Sequence, residues 1–300
     1  KKLISTYKTL DYLYLPIIDN IMIMKIFKHK ITVLLLLSFL IFGNTIQAQQ
    51  FKPNTEIGIL LGASYYQGDL NTVHFNQSSP AAGLVIRKNI DKRFVYKAEI
   101  MYLNLRSDER DSDDTIAASR GLHFRSPVYE LSGQVEFNFL PYDPGNPLYT
   151  WTPFVYGGVS IFNFNPQAEN AATNGEWVDL QEMGTEGQGS TTFPDRQKYS
   201  LIQFSAALGG GVKIAVSNSF NIIFEYSTRK TFTDYLDDVS TNYPGGDLTD
   251  MTPVAISMSD PLGTHLKDDQ RGNSDKNDWY SFAGITLSFK LANKTKGCDY

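Results

Sequence analysis

Residues that could carry out chemistry are few in this chain and lie far apart. Beyond residue 50 the histidines are His74, His123 and His265, and none has a second ligating residue at a spacing typical of a metal site. A nucleophilic hydrolase needs a serine, a histidine and an acid in hydrogen-bond contact, and no motif here specifies such a set. The sequence therefore predicts no enzymatic activity, no cofactor, no metal site and no small-molecule substrate.

Two other motifs deserve a chemical interpretation. An acidic run at residues 108–114 offers carboxylates for Ca²⁺, but it lacks the glycine and the terminal glutamate of an EF-hand loop. We interpret this run as a solvated acidic loop. Gly209, Gly210 and Gly211 fall inside a strand pattern, so they favour a bend or close packing over phosphate binding.

The net charge and the cysteine content argue against a nucleic-acid-binding protein and against one with an internal disulfide. The chain of 300 residues has a net charge of −5, and residues 1–48 carry +4, which leaves −9 on the remainder. Contacts to nucleic-acid phosphates require lysine and arginine, so nucleic-acid binding is not expected. The single cysteine, Cys298, excludes an internal disulfide. It is either a bystander or a thiol that pairs with a partner protein.

The N-terminal part has the order of a secretory signal peptide. Three lysines precede an apolar core at residues 31–42, which is short for a membrane-spanning helix, and Ala48 offers a small residue for cleavage. We predict a signal peptide at residues 24–48, take residues 1–23 as mis-assigned upstream sequence, and assign residues 49–300 to the exported protein. The alternative is an N-terminal membrane anchor that stays attached.

The exported part alternates apolar and polar residues with the period of a β-strand whose two faces differ. At residues 128–139, for example, Tyr129 and Leu131 lie on one face, and Glu130 and Glu136 lie on the other. Most segments of this kind are longer than the nine to eleven residues that a tilted strand needs to cross a bilayer. The eight segments are residues 56–66, 80–89, 93–106, 126–139, 151–163, 200–216, 219–231 and 279–291.

The connections between these segments alternate in length. The first, third, fifth and seventh have about 13 to 47 residues, whereas the second, fourth and sixth have about 3, 11 and 2. Outer-membrane barrels have short periplasmic turns and long outer loops. The sequence therefore predicts an all-β fold: an eight-stranded antiparallel up-and-down transmembrane β-barrel in the cell outer membrane, contacting lipid, with both termini in the periplasm.

A soluble eight-stranded barrel, such as a lipocalin, is the alternative, because alternation does not say which face points inward. In the membrane interpretation the polar face lines the lumen, where charges of both signs pair with each other. The predicted lumen network is Lys97, Glu99, Glu130, Gln134, Glu136, Lys213, Glu225 and Arg229. The predicted aromatic girdle is Tyr65, Tyr102, Tyr142, Tyr149, Trp151, Tyr156, Trp279 and Tyr280.

Five short motifs resemble the PorG-like outer-membrane proteins of Bacteroidetes. The match spans essentially the whole exported part, and the first and last motifs are the most specific. The motifs are GASYYQGDL at 62–70, FRSPVYEL at 124–131, EFNFLPY at 136–142, PFVYGG at 153–158 and TDYLDDVS at 233–240.

The resemblance implies a non-enzymatic structural component of the type IX secretion system, a protein-secretion machine, that associates with a periplasmic ring. The family also has members without an assigned role, so a stand-alone surface barrel for adhesion or envelope integrity is the alternative. We expect a ring protein to bind residues 140–150, the tail at 293–300, or both. Tyr142, Tyr149 and Cys298 are the candidate docking residues. A longer turn with interfacial tyrosines explains residues 140–150 equally simply.

Overall fold

The computed structural model describes residues 51–110, 112, 114–170, 175–245 and 248–291. The predicted signal peptide, the segment before it, and the tail with Cys298 lie outside these described residues. The longer strands are β1 (Asn54–Gln67), β2 (Ser79–Asn89), β3 (Phe94–Asp108), β4 (His123–Asn138), β5 (Trp151–Phe164), β8 (Ile202–Ala215), β9 (Phe220–Thr231) and β10 (Trp279–Lys290). A short hairpin, β6 (Gln167–Asn170) and β7 (Glu176–Asp179), lies between β5 and β8.

The eight long strands form a closed antiparallel barrel. Going round the wall, the order is β3, β2, β1, β10, β9, β8, β5 and β4, and β4 pairs with β3 to close the ring. The first and last strands meet along their whole length, from Glu56 opposite Lys290 to Gln67 opposite Trp279. Closure leaves no unpaired strand edge among these eight. The predicted fold class is confirmed, and each predicted segment overlaps one long strand.

The two faces of the wall differ as the alternation predicts. Along β4, Glu130 and Glu136 point into the lumen and are buried, while Tyr129 and Leu131 point outward and are more than half exposed. Every long strand exposes at least two large apolar side chains in this way. Soluble proteins rarely expose apolar patches larger than a few hundred Å². The exposed belt therefore favours a lipid-facing outer surface over the soluble barrel.

The connections divide between the two ends of the barrel. Residues 90–93, 139–150 and 216–219 make the turn end, where β1 begins and β10 ends. The other four connections meet at the loop end and are far more structured than the sequence predicts. Besides the β6–β7 hairpin, they contain the helices α1 (Thr115–Arg120), α2 (Leu180–Met183) and α3 (Pro253–Ser259). No helix among the described residues is long and apolar enough to cross a membrane.

The loop end packs into a cap on the barrel. We use the word cap for the described residues of the connections 68–78, 109–122, 165–201 and 232–278. One apolar core runs from the lumen into this cap, because Leu60 and Phe162 of the wall belong to the same buried cluster as Leu180 and Leu236. The cap and the barrel therefore share one core.

The predicted aromatic girdle is only partly correct. Tyr102, Trp151 and Trp279 are exposed on the outer face, and Tyr149 is half-buried. The prediction is wrong for four tyrosines that are buried instead, with at most 5% of their surface exposed: Tyr65, Tyr142, Tyr156 and Tyr280. Tyr156 of β5 and Tyr280 of β10 follow the inward parity of their strands: the Lys97 ammonium lies over the Tyr156 ring, and the Tyr280 hydroxyl donates to Glu130.

Candidate functional site

The lumen is the first candidate site, and the structure brings all eight predicted lumen residues into it. Each is at most 5% exposed. The Lys97 ammonium on β3 lies 3.0 Å from a carboxylate oxygen of Glu225 on β9, and 2.5 Å from Glu99 on its own strand. Gln134 on β4 donates a hydrogen bond of 2.8 Å to Glu99.

A second group of charges lies nearer the turn end. Arg87 on β2 donates from Nε to Glu136 Oε1 on β4 at 3.0 Å, and Lys213 on β8 pairs with the other oxygen of the same carboxylate. Glu56 on β1 accepts hydrogen bonds from Asn89 and Ser288, at 2.7 and 3.0 Å. Arg87 and Lys213 therefore hold the Glu136 carboxylate from two sides of the lumen.

A third group lies toward the cap. The Arg229 guanidinium on β9 donates to both oxygens of Glu130 on β4, and its Nε lies 3.0 Å from Oε2. The Tyr280 hydroxyl donates to the same Oε2 at 2.6 Å. Phe162 packs its ring against Tyr280, with 5.5 Å between centroids. Aromatic rings and paired charges therefore fill this level of the barrel.

Sequence reasoning missed Arg87 and Glu56, and it placed Tyr156 and Tyr280 in the aromatic girdle and not in the lumen. Strand parity carried the signal for Arg87, because Val85, Arg87 and Asn89 are all buried on the inward face of β2. Among the described residues the lumen holds four cations against five carboxylates, and buried charges of this kind are stable only when paired. These buried side chains therefore form a connected polar network inside the barrel.

The three histidines named in the sequence analysis lie in or beside the connections at the loop end. His74 forms a hydrogen bond with the Tyr65 hydroxyl, and the His123 ring accepts a hydrogen bond from the Glu169 amide. The His265 Nδ1 atom lies 3.0 Å from a carboxylate oxygen of Asp260. No group of three or more histidine, cysteine or acidic residues within the described ranges is arranged to hold a metal ion. In the acidic run, Asp108 pairs with Arg110 and Glu109 pairs with Arg120. Asp111 and Asp113 lie outside the described residues.

The predicted docking turn at residues 140–150 closes the turn end. Tyr142 points into the barrel and is only 3% exposed, so this candidate docking residue is not at the surface. Burial raises the pKa of its phenol above the usual range. Tyr149 stays half-buried under Lys92, whose ammonium lies 4.5 Å from the ring centroid. The most exposed large apolar residue of this turn is Leu148, which was not among the predicted docking residues.

The cap contains a buried acidic cluster. The Tyr66 hydroxyl oxygen lies 2.5 Å from Asp237 Oδ2 and 2.9 Å from Asp278 Oδ1, and burial raises the pKa of both carboxyl groups well above the ordinary value. Asp234 is buried, and a hydrogen bond with Ser240 offsets only part of the effect of burial on its pKa. Burial raises the pKa of Asp234 to about 8, and the nearby carboxylates of Asp69 and Glu186 contribute to the rise.

A buried ion pair holds the two largest loops of the cap together. The Arg271 guanidinium, from the loop before β10, lies 3.1 Å from Glu186 in the loop after α2. The same carboxylate accepts hydrogen bonds from the amides of Ser240 and Thr241, at 2.9 and 3.1 Å. Arg271 also donates to the carbonyl oxygen of Asp238. These contacts join the two loops at a buried site.

Comparison with known proteins gives a family and a set of similar barrels. Neisserial surface protein A has 9% identity, covers 80% of this chain and 100% of its own, and has a TM-score of 0.41. Ail of Yersinia pestis, solved with sucrose octasulfate, has 9% identity, the same coverage and a TM-score of 0.39. OprG of Pseudomonas aeruginosa has 10% identity, covers 83% of this chain and 100% of its own, and has a TM-score of 0.35.

No curated protein sequence matches the chain. Residues 29–182, just over half of the chain, match the protein family described as a domain of unknown function, DUF6089. The chain therefore belongs to the DUF6089 family, and it folds as a closed eight-stranded barrel of the outer-membrane type.

Proposed function

We propose that this protein is a non-enzymatic, sealed barrel of the outer membrane that serves as a structural component of the type IX secretion system. In this proposal it binds a periplasmic ring protein at the turn end. The lumen is filled by paired charges and aromatic rings, so activity at the two ends fits the molecule better than transport through it. The resemblance of the five sequence motifs to PorG-like proteins supports the choice of partner.

The observation that carries the docking proposal is Leu148. Its side chain is 81% exposed, at the tip of the turn formed by residues 140–150. An exposed leucine at the centre of a contact is desolvated when a partner covers it, and burial of apolar surface drives association. Pro147 beside it is exposed as well. We therefore assign docking to Leu148 in place of Tyr142.

The turn that presents Leu148 is held from several directions. The Tyr142 amide donates to the Lys92 carbonyl at 2.9 Å, and the Tyr149 amide donates to the Asn146 carbonyl at 3.0 Å. The Lys290 ammonium reaches the carbonyl of Pro144 at 3.4 Å. A surface that is already ordered loses little conformational entropy when it binds. The proposed orientation, with the turn end in the periplasm, follows the usual short-turn side of outer-membrane barrels.

The test is site-specific photo-crosslinking in cells of the source bacterium. A photoreactive amino acid replaces Leu148 in one strain and Leu266 in another, because Leu266 is 73% exposed at the loop end. We expect position 148 to capture a ring protein and position 266 to capture none. A faster-migrating band in unheated gel samples shows that both barrels are folded, and recovery in carbonate-washed outer membranes shows that both are inserted.

A matched pair of substitutions tests the consequence for secretion. Leu148→Asp should lower ring association and cargo secretion at least tenfold, whereas Leu266→Asp should leave both unchanged. Equal capture at the two positions, or full secretion by an inserted Leu148→Asp barrel, contradicts the secretion proposal. In that case the stand-alone surface barrel becomes the better hypothesis, with recognition by the cap.

A further inference from the structure

Two arginines lie directly opposite each other on the outer face of the β3–β4 hairpin. The register pairs Arg106 with Arg125, near the loop end of the hairpin. Arg106 is exposed, and Arg125 is half-buried. Like charges directly opposite each other destabilise an antiparallel pair. Such a pair is expected only where an anion offsets the repulsion or where each charge has its own acidic partner.

Neither arginine has an acidic partner within the described ranges. Arg106 donates to two backbone carbonyls, those of Gln77 at 3.3 Å and Ser78 at 3.4 Å. Arg125 donates from Nε to the Gln167 side-chain oxygen at 3.1 Å, and its guanidinium stacks 3.8 Å from the ring centroid of Trp177. These contacts orient both side chains, but they leave both positive charges in place.

The neighbouring charges behave differently. Arg110 pairs with Asp108 at 2.6 Å and with Glu169 at 3.1 Å, so those two carboxylates are already engaged. Glu109 pairs with Arg120. Asp114, also in this region, caps helix α1 by accepting from the Ile116 amide. Arg106 and Arg125 are therefore the arginines of this region that have no carboxylate partner among the described residues, whereas the hydrogen bond to the Ile116 amide leaves the Asp114 carboxylate charged.

Both arginines line a polar groove with a volume of about 1150 Å³. Its walls come from the connection after β1, the β3–β4 hairpin and the β6–β7 hairpin. The side chains of Asn76, Gln77 and Asn104 add neutral hydrogen-bonding groups, and Trp177 adds an aromatic surface. This volume accommodates a sugar headgroup, because ligand sites of about 300–1000 Å³ hold drug-sized molecules.

The position of the pair relative to the apolar belt suggests the source of the anion. Tyr102 lies opposite Tyr129, both are exposed, and their ring centroids are 5.2 Å apart. Exposed tyrosines mark the membrane–water interface of a barrel. Arg106 follows Tyr102 by four residues on the same face, roughly 13 Å along the strand and about 10 Å in depth at the usual tilt. This is the level of lipid headgroups.

We infer that Arg106 and Arg125 bind a phosphate group on the sugar headgroup of an anionic glycolipid in the outer leaflet. The guanidinium group offers a planar fork of donors that suits phosphate oxygens. A phosphate in the groove that both arginines line offsets the like-charge repulsion. The inference rests on the proposed membrane orientation, with the loop end outward, but it does not depend on ring docking.

The test uses the full chain purified in detergent, with native mass spectrometry to count bound lipids. The probes are a bisphosphorylated lipid A, the same lipid after phosphatase treatment, and inorganic phosphate. We expect the phosphorylated lipid to bind in a 1:1 complex and the dephosphorylated lipid to bind at least tenfold more weakly. Equal binding of the two lipids overturns the inference. If inorganic phosphate competes at equal concentration, the site belongs to a soluble anion and the lipid assignment fails.

The variants are R106Q/R125Q and R93Q. Arg93 is a matched control, since it is exposed and donates to backbone carbonyls of residues 138 and 139, but it lies at the turn end. We expect the double variant to lose at least tenfold in affinity for the phosphorylated lipid and R93Q to bind normally. Equal losses in both variants, or no loss in a folded double variant, overturn the inference. Because no ring protein is present, failure here is distinct from failure of the docking proposal.

Discussion

The Lys97 ammonium lies 3.0 Å from a carboxylate oxygen of Glu225 across the full width of the barrel. β3 and β9 are four strands apart in either direction round the wall, so the two side chains meet from opposite sides of the lumen. Lys97 also lies 3.9 Å from the centroid of the Tyr156 ring. A contact of this kind holds the wall at a fixed width.

Lys97→Met should therefore destabilise the barrel strongly. It leaves Glu225 and Glu99 short of a cation in a buried site, and the loss of one partner of a buried ion pair typically costs about 3–5 kcal/mol. The free energy of unfolding can be measured by urea titration in detergent, with tryptophan fluorescence as the probe. Lys88→Met is the matched control, because Lys88 lies on β2 but is exposed. Equal effects of the two substitutions would show that the lumen pair does not stabilise the fold.

Replacing a glycine by alanine should change the free energy of unfolding differently in two of the long strands. A Cβ added at Gly211 on β8 would lie 1.9 Å from the carbonyl oxygen of Phe224, whereas a Cβ at Gly133 on β4 would meet nothing within 4 Å. Gly211→Ala should lower the free energy of unfolding by about 1–3 kcal/mol through overpacking. Gly133→Ala should leave it unchanged or raise it slightly. The temperature at which half of the protein loses its faster gel migration measures both effects. An unchanged temperature for Gly211→Ala would argue against close packing of the strands at Gly211.

The cap should become less stable as the pH rises. The pKa of Asp234 is about 8 in the folded cap, against an ordinary value of 3.8. The folded state therefore holds this proton between about pH 4 and pH 8 while the opened state releases it, so stability present at low pH is lost as the pH rises to about 8. Limited proteolysis of residues 232–278 at pH 5.5, 7 and 8.5 should show progressively faster cutting.

Asp234→Asn should reduce this pH dependence, because the amide does not titrate. The substitution should not abolish the pH dependence, because Asp237 and Asp278 also have raised pKa values and also make the cap less stable as the pH rises. Asp250→Asn is the control, since hydrogen bonds from Ser190 and Thr191 hold the pKa of Asp250 well below the ordinary value. If Asp234→Asn keeps the full pH dependence of the proteolysis rate, as Asp250→Asn should, then Asp234 does not contribute to this pH dependence.

The sequence predicts the barrel wall well because lipid and lumen impose opposite demands on alternate residues. Alternation placed Glu136 inside and Leu131 outside, and both positions agree with the structure. In β2 three successive apolar residues, Leu84, Val85 and Ile86, blur the alternation in the sequence, so Arg87 was missed although it follows the inward parity of the strand. The inward tyrosines were missed for a different reason: Tyr280 is placed by its hydrogen bond to Glu130, which comes from a strand on the opposite side of the barrel.

The cap could not be predicted from local patterns. β6 and β7 have four residues each, too few for a period to be recognised, and α3 has seven. Their positions depend on distant contacts such as that between Arg271 and Glu186. For the docking turn, a proline-rich segment with tyrosines indicated a stiff surface, but only tertiary packing decides that Tyr142 points inward and Leu148 outward.

The pairing of β1 with β10 has a consequence for how the protein reaches its native state. Glu56 and Lys290 are paired although nearly the whole described chain separates them. The ring cannot close until the last strand has reached the membrane, and contacts between such distant residues slow folding because loop-closure entropy is lost first. Until then β1 exposes unpaired backbone groups, which are not tolerated in lipid. Assembly should therefore be slow without a catalyst, and the closed barrel should be long-lived once formed.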